Sequence, residues 1–105
     1  MKTEEAIRLV LEALRERNFL EFSCGGENYL IQPENNKGWD YLCLWRTAPT
    51  VECLGRAMFE LLYGIDEEAV RELLEQQCIG GKSLLELCGE HEIIRLTETE
   101  KQSQN

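Results

Sequence analysis

Gly80-Gly81-Lys82-Ser83 has the residue types of a phosphate-binding turn, in which backbone N–H groups and a lysine gather around an anion. The full pattern G-x-x-x-x-G-K-[ST] needs glycine at position 76, and Gln76 stands there. The stretch also follows a helical pattern rather than a strand. It reads as a turn leading into Ser83-Leu84-Leu85-Glu86, an S-x-x-E capping box that opens a short helix. The alternative is a weak anion site at that helix's N-terminus.

Cys88-Gly89-Glu90-His91 offers C-x-x-H, half of a zinc ligand set. A structural site needs four N or S ligands, commonly in two close pairs, and neither a second C-x-x-C nor an H-x-x-x-H is present. Cys78 becomes a third ligand only if folding brings it near. A Cys–His nucleophile pair must use His91, the only histidine, with Cys88 nearest and Glu90 and Glu92 flanking the ring. Those acids work against the thiolate such a pair requires. Glycosidase-type carboxylates need a set separation in a cleft, and no pair is nominated. The dinucleotide fingerprint G-x-G-x-x-G is absent. The expectation is therefore no catalytic residues, no cofactor and no metal, in a protein that is not an enzyme.

Gly38-Trp39-Asp40-Tyr41-Leu42-Cys43-Leu44-Trp45-Arg46 carries the most information. Side chains alternate across a strand, so Trp39, Tyr41, Cys43 and Trp45 share one face and Leu42 and Leu44 the other. A strand in a half-wet sheet is apolar on one face only. This one needs cover on both. Exposed aromatics on a sheet can stack nucleic-acid bases, but residues 19–46 hold four acids against Lys37 and Arg46.

The elements that position these residues follow from periodicity. Thr3 suits an N-cap, Glu4 and Glu5 suit a first turn, and Ile7, Val10, Leu11 and Leu14 form one helical stripe. Phe19 to Cys24 and Glu27 to Gln32 predict a hairpin about Gly25-Gly26, pairing Cys24 with Glu27, Phe22 with Tyr29 and Leu20 with Ile31. Residues 33–38 read as a loop. The strand that follows has two registers. One buries Leu42 and Leu44 and leaves Trp39, Tyr41 and Trp45 outward, near Leu30; the other exchanges them.

Leu54, Ala57, Met58, Leu61 and Leu62 have helical spacing, and Asp66 caps a further helix with Ala69, Val70, Leu73 and Leu74 inward. Glu92 to Leu96 reads as a last strand. The expected fold class is α+β: an N-terminal helix, a three-stranded antiparallel meander, two to three helices and a short C-terminal strand. Residues 1–96 form a single domain, and residues 97–105 a disordered polar tail.

The chain has 105 residues, a formal net charge of -9 and five cysteines. Its charge opposes phosphate backbones and anionic lipid. No apolar stretch reaches the roughly 20 residues of a membrane span. With an odd cysteine count and no apolar leader, reduced thiols and a cytoplasmic location are expected. The expected function is a small acidic, non-enzymatic protein-interaction module of regulator, adaptor, immunity or inhibitor type. Its surface is Trp39, Tyr41, Trp45 and Leu30, and its partner another protein or a second copy, with no direct nucleic acid and no membrane. One alternative is a ligand binder or enzyme with a pocket beside strand 39–45, using Trp39, Tyr41, Cys43, Cys88 and His91. Another is an acidic mimic of nucleic acid.

Overall fold

A computed structural model describes residues 2–60, 62 and 64–102. Helix α1 (Lys2–Arg17) leads into strands β1 (Leu20–Cys24), β2 (Glu27–Asn36), β3 (Trp39–Ala48) and β4 (Glu52–Phe59), then helices α2 (Glu67–Glu75), α3 (Leu84–Cys88) and α4 (Glu90–Gln102). The sheet is antiparallel in the order β1-β2-β3-β4.

The first hairpin has the expected pairing, Leu20 opposite Ile31, Phe22 opposite Tyr29 and Cys24 opposite Glu27. Beyond it the chain does not loop. β2 continues through Pro33 to Asn36 and turns at Lys37-Gly38, both at positive φ, as a two-residue hairpin turn requires. Antiparallel pairs alternate between hydrogen-bonded and open, so the Pro33–Leu42 pair, an odd step from the turn, is open. Position 33 therefore needs no N–H toward β3, and β1 has already ended on its other side.

The meander has four strands rather than three. The expected helix over Leu54, Ala57, Met58 and Leu62 is replaced by β4, with Leu62 in a turn beyond it; Leu61 lies outside the described residues. Short apolar runs fit both periods, and the open edge of β3 decides between them. Pairing Leu42 with Ala57 and Asp40 with Phe59 turns Ala57 and Phe59 inward, while Met58 faces out. A register shift between Leu44 and Trp45 leaves Leu54 as the unpaired residue of a bulge, partly buried against the core.

Leu42 and Leu44 are fully buried, and Trp39 is 59% exposed. The register with the leucines inward is the one adopted. The core lies between this face and the helices. It gathers Leu20, Tyr29 and Ile31 from the sheet, Ile7, Val10 and Leu14 from α1, and Val70, Leu73 and Leu74 from α2. Full burial of each large aliphatic side chain contributes about 1.5–3 kcal/mol. No helix among the described residues is long and apolar enough to cross a membrane.

The expected C-terminal strand is also replaced. Glu92 to Leu96 lies within α4, whose Ile93 and Thr97, four residues apart, are both buried on the side that meets α1. The adjacent β-branched residues Ile93 and Ile94 suggest a strand, and packing on α1 overrides that local preference. Residues 97–102 of the expected tail continue α4, and 103–105 lie outside the described residues. Thr3 does not cap α1. The helix begins at Lys2, and the Thr3 hydroxyl donates to the Glu90 carboxylate at the start of α4.

The expectation that all thiols are free is corrected as well. Cys24 at the end of β1 and Cys88 at the end of α3 form a disulfide, with Cα atoms 6.0 Å apart across a sequence separation of 64. Cys43, Cys53 and Cys78 are free. Spacing along the chain cannot reveal this pair, because the sheet and the helix corner bring it together.

Candidate interaction surface

The helices pack on the face that holds Leu42 and Leu44, so among the described residues the opposite face of the sheet is left without a helix over it. β3 crosses its middle with Trp39, Tyr41, Cys43 and Trp45 outward. Leu30 lies directly opposite Trp45 on β2, and Cys53 flanks Trp45 on the β4 side. Tyr41 lies between Glu34 and Met58, the latter 55% exposed. The four residues expected to form a surface are thus brought onto one face.

Polar side chains tie this face together. The Trp45 indole N–H donates to Glu34 Oε2, and Gln32 Nε2 donates to the same oxygen at 3.2 Å. The Arg56 guanidinium lies over the Tyr41 ring, 4.9 Å from its centroid, an attractive cation–π geometry. Cys43, between Gln32 and Arg56 on the neighbouring strands, is buried. Burial, reinforced by the nearby Glu34 charge, pushes its thiol up to about 12. It is therefore neutral near pH 7 and unsuited to nucleophilic attack.

The structure does not bring the other candidates to this face. Cys88 is bonded to Cys24 beside β1, two strands across from β3. His91 is exposed on the first turn of α4, and its flanking acids are engaged elsewhere, Glu90 with Thr3 and Glu92 with Arg95. No group of three or more His, Cys, Asp or Glu side chains suits a metal ion among the described residues. Gly80-Gly81 forms the expected turn, closed by paired bonds between Ile79 and Lys82. Ser83 then caps α3 with the full capping box, and α3 has only five residues. A void of about 10 Å³ among Val10, Leu20, Phe22, Leu74 and Ile93 is apolar and too small for a ligand.

Sequence reasoning missed Gln76. At the C-terminal end of α2 its carboxamide reaches the free edge of β4, where Nε2 donates to the Arg56 carbonyl at 3.2 Å and Oε1 accepts from the Arg56 N–H at 3.3 Å. Gly55 permits this approach, since a Cβ there would lie 2.2 Å from Gln76 Oε1. A glycine inside a strand signals such a close contact, and Gly55 was the available clue.

Fold and site together define an α+β arrangement in which, among the described residues, helices cover one face of a four-stranded antiparallel sheet and leave the other uncovered. Compared with known proteins, the chain matches no family model, no curated protein and no solved structure.

Proposed function

We propose that this chain is a small acidic binding module, without a reaction of its own, that receives a protein partner on the open face around Trp39, Tyr41, Trp45 and Leu30. One observation carries the reading: Trp39, 59% exposed, and Met58, 55% exposed, lie together on the face opposite the core, over which no helix packs among the described residues. Large apolar side chains grouped in the open mark association surfaces rather than scattered surface residues. The net charge of -9 disfavours stacking two copies face to face, so a different protein is the proposed partner. The free thiols Cys43, Cys53 and Cys78 fit a reducing cytoplasm and the Cys24–Cys88 bond an oxidising compartment; we propose the cytoplasm, to be checked by trapping thiols in cells.

Iodide quenching of tryptophan fluorescence beside a light-scattering mass tests the proposal. A monomer with a readily quenched Trp39 is expected. A dimer with both tryptophans shielded would replace the separate partner with a second copy. A monomer with both shielded would remove the surface altogether.

A further inference from the structure

β4 is an edge strand, with β3 on one side and, among the described residues, no strand on the other. Both backbone groups of Arg56 bond to Gln76, so they point out of the sheet. The Cys43–Arg56 pair is therefore of the open kind, and antiparallel alternation makes the Tyr41–Met58 pair, two residues on, open too. The Met58 N–H and carbonyl thus point outward beside those of Arg56. Gln76 supplies at Arg56 the two bonds that one residue of a fifth strand would supply.

A groove of about 400 Å³ runs between this edge and the flank of α2, reaching from Met58 past Asp66, Glu68 and Glu72 to Glu75. Arg71 also lines it, and that cation is already shared by Glu4, Glu67 and Glu75. Glu68 and Glu72 make no ion pair among the described residues. The groove therefore combines outward backbone groups with uncompensated negative charge.

We infer that the outer edge of β4 docks an extended, basic peptide segment as a fifth strand. The segment pairs with the Met58 backbone, displaces the Gln76 carboxamide from Arg56, and sets lysine or arginine side chains against Glu68 and Glu72. Alternate side chains of an added strand point to opposite faces. One set meets the acidic flank of α2, and the other meets Met58 and the aromatic face. The inference rests on the reading of the chain as a binding module, and adds an edge and a partner chemistry to it.

The test uses the full chain, isotope-labelled, and a capped peptide of about nine residues alternating lysine and valine, long enough for one strand. The same peptide with glutamate for lysine is the control. The lysine peptide is expected to bind, to shift the Arg56 and Met58 amides, and to slow exchange of the Met58 N–H. Gln76→Ala removes the competing carboxamide and should tighten binding about tenfold. Met58→Pro removes the edge donor and should abolish binding. Glu68→Gln with Glu72→Gln should weaken it several-fold and flatten its salt dependence. Glu21→Gln, on the opposite edge strand, should retain wild-type affinity. Melting curves establish that each variant is folded, and Gln76→Ala keeps the test decisive if Met58→Pro is not.

Equal binding of the glutamate peptide, shifts confined to β1, or unchanged affinity in folded Gln76→Ala would each overturn the inference. Shifts centred on Leu30 and Trp45, lost in Trp45→Asp, would also overturn it while supporting the open face. No peptide binding to either wild type or Gln76→Ala would overturn the edge alone, since the open face is tested by quenching.

Discussion

The indole N–H of Trp45 and the carboxylate of Glu34 are hydrogen-bonded across the β2–β3 pair, on the face of the sheet opposite Leu42 and Leu44. The bond orients an aromatic side chain at the centre of the open surface, and it places a fixed negative charge beside the buried thiol of Cys43. Removing Glu34 should therefore be felt at both neighbours. In Glu34→Ala, the Cys43 thiol should titrate lower than in wild type but remain above the ordinary cysteine range, because burial is the larger cause. Alkylation rates measured against pH report this. Identical profiles in variant and wild type would show that the two groups are not coupled.

Alkaline pH should weaken the fold. Burial raises the Tyr29 hydroxyl to about 12, helped by its bond to Glu27, and burial raises Cys43 to a similar value. Both groups stay protonated in the folded state after the unfolded chain has begun to ionise. Stability is therefore complete below the unfolded values, near 9 for cysteine and 10 for tyrosine, and is lost as pH rises toward 12. The urea midpoint should fall steadily across that window, and less so in Cys43→Ala. A flat midpoint from pH 9 to 12 would contradict the burial of both groups.

The two faces of β3 should respond oppositely to truncation. Leu44→Ala removes a fully buried side chain and should cost about 2–5 kcal/mol. Trp39→Ala removes an exposed one and should change stability by about 0.5 kcal/mol or less. Urea denaturation of both variants checks this. The reverse order of costs would indicate the other register.

Gly55 and Gln76 should behave as a coupled pair. A Cβ at position 55 collides with Gln76 Oε1 and comes within 2.9 Å of Cys78 Sγ, so Gly55→Ala should cost about 1–3 kcal/mol. In a Gln76→Ala background the cost should shrink, leaving the Cys78 contact. A double-mutant cycle measures the difference, and simple additivity would argue against the contact.

The Cys24–Cys88 bond closes a long stretch of chain, so its loss should be visible in stability. The chain-entropy account puts an upper value of about 4 kcal/mol on a loop of this size. Dithiothreitol should lower the urea midpoint of wild type but not that of a Cys24→Ser, Cys88→Ser double variant. Five reactive thiols in unreduced, denatured protein would show that the bond does not form.

Much of this was legible in local sequence. The register of the first hairpin followed from Gly25-Gly26 and the alternation of Leu20, Phe22, Tyr29 and Ile31. The caps at Asp66 and Ser83 followed from side chains that bond backbone N–H groups three residues on. Misreadings fell where one pattern served two structures. Leu54, Ala57 and Met58 fit a helix until the open edge of β3 is present, and Ile93-Ile94 fit a strand until α1 is. That Trp39, Tyr41, Trp45 and Leu30 share one face was legible by parity, whereas Gln76 had no local signal beyond Gly55.

The sequence by itself determined that strand 39–45 is apolar on two faces, because side-chain alternation is a property of the backbone and needs no partner. Which face would be buried was a tertiary decision. β4 made β3 an internal strand, and α1 and α2 cover the side holding Leu42 and Leu44. A one-residue slip would exchange those leucines for the aromatics at no local cost, so only the combined packing of the neighbours selects one. That selection turns Trp39, Tyr41 and Trp45 outward and makes them a surface rather than a core.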